Sequence, residues 1–344
     1  MERVRIFGIA IFALIFGSCQ VKAQDTFSIV AVDTLTGEIG SAGASCVTRS
    51  TSYPHGAAIL SDVIPGIGAI HTQAAWNMTN QVNAHNHMMA GESPAQIISW
   101  LVANDAQGNA STRQYGIVDF RNNQPRAAAF TGNNCSNYKN DTAAIFYAIQ
   151  GNILLGQSII DSMQNRFLST QGTLADRLMA ALQGAKVIGA DTRCAPRHSS
   201  SLSSFLRVAR PGNAPDSLHI DLWMAYPQGS SGLVPVDPID SLQTLYDQWK
   251  TITSVFVTGD ASIPWVKIRN NAEGNAMLDF SHCPDYFKLK LVVFDFTGRM
   301  VFTRPITSPV IQPFTGKTSN SGMYIYHVVR PDNRIVAQGK FFNF

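Results

Sequence analysis

The strongest restriction on the fold is a change in residue patterning near Val255. From Thr26 to Trp249, predicted strands and helices follow in groups: strands, one helix, strands, two helices, strands and a last helix. Beyond Val255 the helical spacing of apolar residues stops, and short strands separated by turns remain. Such grouping favours an α+β domain, with helical layers over sheets, over alternating βαβ units. We therefore expect an α+β domain over residues 24–255 and a small all-β sandwich within residues 256–344.

The first domain is predicted to open with a hairpin. Residues 26–33 alternate and are rich in strand formers, residues 34–38 supply a turn with a glycine, and residues 39–47 are mostly small. Small side chains in a strand imply close packing or the close approach of a ligand. Further strands are predicted over 68–74, 114–119, 126–130, 145–150, 202–209 and 218–224, and helices over 158–168, 174–186 and 238–249, with another helix beginning at Ser93-Pro94.

Residues 1–23 have the pattern of an export signal. Arg3 and Arg5 precede an apolar run that is too short to span a membrane as a helix, and Val21-Lys22-Ala23 offers small residues for cleavage. The mature chain would then begin at Gln24. A cut before Cys19, which would create a lipid anchor, is the alternative. We expect a protein that passes through the periplasm and is secreted or displayed at the cell surface.

Composition argues against several functional classes. The 344 residues carry a net charge of +3, and Lys and Arg are spread without a basic stripe, so nucleic acid is not an expected partner. The chain has no phosphate loop and no dinucleotide fingerprint, and we expect no cofactor. Beyond the export signal, no apolar run is long enough for a transmembrane helix.

Four cysteines would remain after removal of the export signal: Cys46, Cys135, Cys194 and Cys283. An exported chain meets oxidising conditions, which favours disulfide formation. We expect Cys135 to pair with Cys194, because both lie in loop-like segments of one domain. The alternative is a set of unpaired thiols, some of them buried as small apolar residues.

The first domain resembles the uncharacterised DUF1028 family, which is placed with Ntn-hydrolase-like proteins. The matching segments include residues 26–33, Gly66-Ile67-Gly68-Ala69, Gln150-Gly151-Asn152-Ile153-Leu154 and Gly189-Ala190-Asp191-Thr192-Arg193. The resemblance implies a four-layer αββα fold, with two sheets between helical layers and a nucleophile at the start of a central strand. Cys194 stands where the family pattern has glycine, which we interpret as part of an export-specific disulfide.

The tail resembles the C-terminal sorting domain of the type IX secretion system of Bacteroidetes. The matching segments are Val292-Val293-Phe294-Asp295, Gly298-Arg299, Ser321-Gly322-Met323-Tyr324-Ile325 and Gly339-Lys340-Phe341-Phe342. The resemblance implies that the type IX machinery is a partner and carries the protein across the outer membrane. The alternative is an ordinary β-sandwich accessory domain.

Thr26 is the candidate nucleophile. An N-terminal threonine can attack a carbonyl through its hydroxyl while its own α-amine takes the proton, so that no histidine is needed. This chemistry requires removal of Gln24 and Asp25, because otherwise the nitrogen of Thr26 is an amide. The alternative is an ordinary β-branched residue at the start of a strand.

The other candidate site residues come from three short segments. Asn152 is assigned to the oxyanion together with the neighbouring Gln150 and Gly151, and the alternative is a glycine turn. Asp191 is assigned to orienting the amine and Arg193 to binding a substrate carboxylate, with a surface ion pair as the alternative. Thr72 and Gln73 are expected to line the same cleft. Asp33 can bond to the threonine region, but a role in the following turn is favoured.

Three further groupings carry weaker signals. The histidines at positions 55, 71, 85 and 87 suggest zinc, since a His-x-His pair such as His85 and His87 can bind metal when it lies on a strand, but no suitable carboxylate or cysteine spacing accompanies them. Ser199-Ser200-Ser201 after His198 lacks a nucleophile-elbow motif. Cys46 is an alternative nucleophile, although packing in a small-residue strand explains it better. We expect no metal site.

These observations give two functional hypotheses. The leading one is hydrolysis of an amide bond in a peptide, a cell-wall (peptidoglycan-derived) fragment or an acyl amide, with Thr26 as nucleophile. The alternative is a catalytically inactive surface module for binding or adhesion that keeps the fold. The sequence leaves the substrate and the oligomeric state open.

Overall fold

The structure is a computed structural model that describes residues 26–214, 217–255, 266–270, 276–283, 285–295, 300–313, 322–331 and 335–343. The expected export signal and the two residues before Thr26 lie outside the described residues. The chain divides into two compact units between Asp247 and Gln248. Within the part of the chain that the structure describes, no helix has the length and apolar character needed to cross a membrane.

Among the residues of the first unit that the structure describes, there are ten strands and four complete α-helices, and a fifth helix begins there. The strands are β1 (Thr26–Val32), β2 (Ile39–Ser45), β3 (Ser61–Ile64), β4 (Gly68–Ala74), β5 (Arg113–Arg121), β6 (Gln124–Thr131), β7 (Asn140–Ala144), β8 (Tyr147–Gly151), β9 (Ser203–Ala209) and β10 (Ile220–Ala225). The helices are α1 (Met78–Met89), α2 (Pro94–Ala103), α3 (Gln157–Ser169), α4 (Leu174–Ala185) and α5 (Pro238–Val255). Short 3-10 turns cover Gly56–Leu60, Ala110–Thr112 and Thr192–Arg197.

The strands form two antiparallel sheets. The larger sheet has the order β10-β9-β2-β1-β8-β7, and the smaller has the order β3-β4-β5-β6. Strand β1 therefore lies inside the larger sheet, between β2 and β8. All seven of its residues are buried.

Helices cover one face of each sheet. Helices α3 and α4 pack on the larger sheet, and α1 and α2 pack on the smaller one. Gly40 allows the close approach of α4, because a Cβ there would lie 2.5 Å from Leu178 Cδ1. Under α1 and α2, residues such as Ile70, Ile97 and Met88 form an apolar cluster. The unit is therefore an α+β domain with antiparallel sheets, as the grouping of elements predicted.

The side chains between the two facing sheets change from polar to apolar along β1. Toward the end of β1, Val30 and Val32 pack against Val63, Ala69 and Val118 of the smaller sheet. Toward the start of β1, the facing side chains are polar and buried, among them Ser28, His71 and Gln73. This polar half of the layer positions the candidate site.

The predicted elements agree with the structure in most places. The β1–β2 and β5–β6 hairpins and helices α2, α3 and α4 are confirmed within a few residues. Helix α5 extends beyond the predicted end at Trp249. Helix α1, which Asn77 caps by accepting a bond from the Asn80 N–H, was not predicted, and it contains His85 and His87, so this His-x-His pair does not lie on a strand. Strands β3 and β7 were not predicted.

In the second unit, seven strands occur among the described residues. They are β11 (Lys267–Asn270), β12 (Ala276–Asp279), β13 (Lys290–Asp295), β14 (Met300–Pro305), β15 (Val310–Ile311), β16 (Gly322–Val329) and β17 (Ile335–Asn343). They form a sheet of order β11-β12-β15 and a sheet of order β14-β13-β16-β17.

One apolar core joins the two sheets of the second unit. Leu278 and Ile311 from one sheet share this core with Leu291, Val293 and Tyr326 from the other. The predicted strand over 287–294 begins later, at Lys290, because Tyr286–Lys288 forms a 3-10 turn. Most of the predicted turn over 295–299 lies outside the described residues.

Candidate functional site

Thr26 begins β1 and is completely buried. It pairs with Ser45 at the end of β2, and its carbonyl oxygen accepts a 3.1 Å bond from the N–H of Asn152, just after β8. Alternate residues of a strand share a face, so the side chain of Thr26 points, like that of Ser28, toward the smaller sheet. Ser45 and Asn152 are thus its cross-strand neighbours, and cross-strand side chains lie close enough to interact.

A disulfide lies next to this strand end. Cys46 directly follows Ser45 and is bonded to Cys194, with the two Cα atoms 5.8 Å apart. The expected pairing of Cys135 with Cys194 was wrong, because the Cys135 thiol is buried beside β5 and donates to the carbonyl of Arg113 at 3.2 Å. Cys46 is not available as a nucleophile, since its sulfur is in the disulfide. The interpretation of Cys194 as a disulfide cysteine is confirmed.

Asp191 and Arg193 lie beside the same disulfide. The Asp191 carboxylate is fully buried and accepts from the backbone N–H of Cys46 at 2.9 Å. Arg193 donates to it through Nε at 3.0 Å and Nη2 at 2.7 Å, and the Arg193 side chain is 32% exposed. A buried carboxylate needs such partners. The pair therefore connects the Thr192–Arg197 turn to the strand end beside Thr26.

A serine and a histidine face each other two residues along β1. Ser28 Oγ lies 2.9 Å from His71 Nδ1, and His71 Nε2 lies 2.6 Å from Ser41 Oγ. Ser41 Oγ is in turn 2.7 Å from Ser61 Oγ. Burial, and then the nearby positive charge of Arg207, lower the pKa of His71 to about 3, so the ring is neutral.

Four carboxamides continue this polar layer toward Thr26. Gln73 accepts from Ser28 Oγ at 2.6 Å and donates through Nε2 to the Thr26 carbonyl at 3.2 Å. Its Nε2 also donates to Gln114 Oε1 at 2.8 Å, which receives a second bond from Asn152 Nδ2 at 3.0 Å. Gln150 Nε2 donates to Ser28 Oγ at 2.6 Å. All of these side chains are at most 1% exposed.

Two carbonyl oxygens of this layer are buried without a partner among the described residues. They are Gln150 Oε1 and Asn152 Oδ1. Gly116 on β5 makes room for the first, because a Cβ at this position would lie 1.9 Å from Gln150 Oε1. Orphaned buried acceptors are uncommon and call for a structural or functional reason.

The structure brings most of the sequence-predicted site residues together, but not all. Thr26, Gln73, Gln150, Asn152, Asp191 and Arg193 lie at or beside the start of β1. Gly151 lies on β8 opposite Phe27, and a Cβ there would meet Leu154 Cδ1 at 2.6 Å. Thr72 alternates with His71 and Gln73 and therefore faces the opposite side of β4, away from this layer.

Sequence reasoning did not connect Ser28, Ser45, His71 and Gln114 with the candidate site. Each occupies a buried strand position on the face between the sheets or beside Thr26. The available signal was a polar residue at an alternate position inside a strand whose other residues are apolar or small.

The remaining candidates have other contacts. His85 pairs with Asp62 at 2.7 Å and His87 with Glu92 at 2.7 Å. Among the described residues, no group of three histidine, cysteine, aspartate or glutamate side chains is arranged to hold a metal ion. Ser199 and Ser200 bond to the carboxylate of Asp237, at 3.1 Å and 2.9 Å.

A cleft of about 310 Å³ opens at the other end of β1. Asp33, Leu35, Gly172 and Arg177 are among its lining residues. It is remote from Thr26, because the rise of a strand is about 3.3 Å per residue and places Val32 about 20 Å away. Asp33 Oδ1 accepts from the N–H groups of Leu35 and Thr36, which confirms its role in the turn.

Comparisons with known proteins identify the family and the fold of the chain. A family model described as "Family of unknown function (DUF1028)" matches residues 26–228. The crystal structure of protein SPO2555 from Silicibacter pomeroyi, assigned to the DUF1028 family model, is 24% identical and covers 69% of this chain and 92% of SPO2555, with a TM-score of 0.51. At this level of identity the similarity shows a shared fold. No curated protein matches the chain.

Proposed function

The chain belongs to the DUF1028 family, and on this premise we propose that it is an N-terminal-nucleophile amide hydrolase in which Thr26 attacks the substrate. The observation that carries the proposal is the position of Thr26. It starts a central strand, its side chain faces the layer between two sheets, and polar residues from three neighbouring segments converge on it.

The base is the α-amine of Thr26, released when the preceding residues are removed. A free α-amine has a reference pKa of about 7.7–8.0, and so a useful fraction is unprotonated near neutral pH. Thr26 Oγ1 attacks the amide carbon while the amine takes the hydroxyl proton. The C–N bond then breaks, and the departing amine receives that proton. Water, deprotonated by the same α-amine, hydrolyses the remaining threonine ester and releases a carboxylic acid.

Two neighbouring groups fit the needs of this reaction. Asn152 Nδ2 gives one N–H to Gln114, and its second N–H is a donor for the oxyanion. Arg193 is held by Asp191 in a two-point contact and is partly exposed, which suits recognition of a substrate carboxylate. These contacts favour a peptide, a peptidoglycan-derived fragment or an acyl amide that carries a carboxylate.

We interpret the layering of the first unit as the four-layer αββα arrangement of Ntn-hydrolase-like proteins. In support, α3 and α4 cover one sheet, α1 and α2 cover the other, and the two sheets face each other. In this arrangement the start of β1 lies at one end of the layer between the sheets.

We further propose that the protein is exported and then carried across the outer membrane by type IX secretion. The Cys46–Cys194 disulfide supports export, since disulfides persist in oxidising compartments and are rare in the cytosol. Residues 1–23 supply an export signal, and the strand-rich second unit is the proposed sorting domain. Its partner would be the secretion machinery.

A β-lactone probe tests the hydrolase without knowledge of the substrate. A reactive hydroxyl opens the four-membered ring and retains the whole probe as an ester, so that intact mass rises by the mass of the lactone. We expect one equivalent on Thr26 of the exported chain, located by peptide mapping. Thr26→Ser should still be labelled, and Thr26→Val, which has a similar shape, should not. Absence of labelling in a chain that begins at Thr26 would instead favour the binding or adhesion module.

A further inference from the structure

Ser28 and His71 have the spacing of a hydrolytic pair, but their hydrogen-bond partners give them a different role. The carboxamides of Gln114 and Gln73 beside them are held by backbone carbonyl oxygens, which can act in only one way. An amide nitrogen only donates, a carbonyl oxygen only accepts, and a neutral imidazole has one nitrogen of each kind. The direction of each bond therefore follows from its neighbours.

The orientation of the Gln114 carboxamide determines the direction of the hydrogen bonds in this layer. Its Nε2 lies 2.9 Å from the carbonyl oxygen of Gly151 and 3.2 Å from that of Asn140, and both oxygens can only accept. The Oε1 atom must then point into the layer, where it accepts from Gln73 Nε2 and Asn152 Nδ2. A reversed Gln114 amide would place its oxygen against two carbonyl oxygens, with no proton between them.

Two hydrogen-bond acceptors fix the orientation of the Gln73 carboxamide. Its Nε2 faces both Gln114 Oε1 and the carbonyl oxygen of Thr26, at 2.8 Å and 3.2 Å. Its Oε1 is therefore the atom that faces Ser28 Oγ at 2.6 Å. Because this oxygen only accepts, the hydroxyl proton of Ser28 points at Gln73 and away from His71.

His71 must then donate to Ser28. The proton of Ser28 is already used, and Gln150 Nε2 approaches the same oxygen as a second donor at 2.6 Å. The proton of the neutral ring therefore sits on Nδ1, and Nε2 accepts from Ser41, whose oxygen accepts from Ser61. A base that activates a serine needs the opposite arrangement, so Ser28 is not a nucleophile.

We propose that Gln73 is a positioning residue for Thr26, and that Ser28 and His71 hold the carboxamide of Gln73 in the orientation this task needs. The proposal rests on the proposed function of Thr26. The carbonyl of Thr26 receives two bonds, one from the Asn152 N–H and one from Gln73. When the residues before Thr26 are removed, its amine side loses its covalent anchor. The two bonds to the carbonyl then fix the peptide plane relative to which the amine and the hydroxyl are placed.

The first test reads the tautomer of His71 and does not depend on activity. Ring-¹⁵N histidine is incorporated into the exported chain, and His71 is identified by the signal that is lost in His71→Gln. We expect protonated Nδ1 and bare Nε2. In Ser28→Ala, Gln150 Nε2 remains 3.2 Å from Nδ1 as a donor, so the proton should move to Nε2 and bond to Ser41. Ser61→Ala, at the far end of the chain of bonds, should leave the tautomer unchanged.

Either of two results would overturn the assigned orientation. One is a wild-type ring that is protonated on Nε2, and the other is a Ser28→Ala protein that keeps the proton on Nδ1. Both results are obtained even if no substrate or probe reacts with the protein, so they stand apart from the proposed hydrolase activity.

The second test measures how fast the β-lactone acylates Thr26. Gln73→Met keeps the length of the side chain and removes both polar groups. We expect its limiting acylation rate to fall by about 10- to 100-fold, as for a misplaced reacting group, with the half-saturating lactone concentration nearly unchanged. The limiting acylation rate should fall less in Ser28→Ala, and in Ser61→Ala it should equal the wild-type rate. A normal rate in both folded Gln73→Met and Ser28→Ala overturns the positioning role, whereas an unlabelled wild type overturns the proposed function.

Discussion

Asp191 Oδ2 accepts a 2.9 Å hydrogen bond from the backbone N–H of Cys46, 145 residues earlier in the chain. Cys46 follows Ser45, the strand partner of Thr26, and the disulfide from Cys46 ends next to Arg193. One covalent bond and one hydrogen bond thus attach the Asp191–Arg193 segment to the strand end beside the candidate nucleophile. The proposed substrate contact at Arg193 depends on both.

Breaking the disulfide should loosen this attachment and lower stability. A cross-link that closes a loop of this length contributes about 2–5 kcal/mol, mainly by restricting the unfolded chain. Cys46→Ser combined with Cys194→Ser should therefore lower the melting temperature by about 5–15 °C. Thermal unfolding with and without reductant measures the effect. Cys135→Ser is the control and should retain both the disulfide and its sensitivity to reductant, and a Cys135-containing disulfide in a non-reduced peptide map would contradict the assignment.

Buried His71 should make the first unit lose stability in mild acid. Its pKa is lowered from 6.5 to about 3, so the folded state stays neutral while the unfolded chain binds a proton below pH 6.5. The free energy of unfolding should therefore fall by about 1.6 kcal/mol between pH 6.5 and pH 5, because the slope rises from half of about 1.36 kcal/mol per pH unit at pH 6.5 toward the full value below it. Denaturant titrations across this window measure the slope. His71→Gln should have a smaller slope than the wild type, and equal slopes would show that His71 already binds a proton in the folded protein.

Much of the first unit followed from periodicity. Helices α3 and α4 have continuous apolar stripes, and the β1–β2 and β5–β6 hairpins have clear turns, so their sequences identify them. Helix α1 was missed because its buried face consists of Asn80, Ala84 and Met88. This face is too short and too polar to give a recognisable helical periodicity of apolar residues. The cap at Asn77 was the usable signal.

The candidate site was only partly predictable. A serine such as Ser28 at an alternate strand position has the same pattern whether that face meets water or a second polar sheet. The pairing of the sheets decides between the two, and this is a tertiary event that one strand does not encode. The same limit explains the wrong cysteine pair, because spacing does not reveal that the end of β2 lies beside Cys194.

Gly116 provides a test of the close contact between the sheets. A Cβ at this position would come within 1.9 Å of Gln150 Oε1, so Gly116→Ala must displace a buried, hydrogen-bonded side chain. We expect a loss of about 1–3 kcal/mol in the free energy of unfolding, the range for an added carbon in a packed interior. Gly156→Ala adds the same carbon where nothing lies within 4 Å of a Cβ, and because Gly156 is the N-cap of α3, this control carries only the cost of an alanine cap. Equal stability of the two variants would mean that Gln150 has space to move.

The N-terminal sequence and intact mass of the protein recovered outside the producing cell test the central claim most directly. We predict a chain that starts at Thr26, with a free α-amine to act as base beside its own hydroxyl. A chain that starts at Gln24, whether free or cyclised, would contradict this prediction, because the nitrogen of Thr26 would then be an amide without basic character.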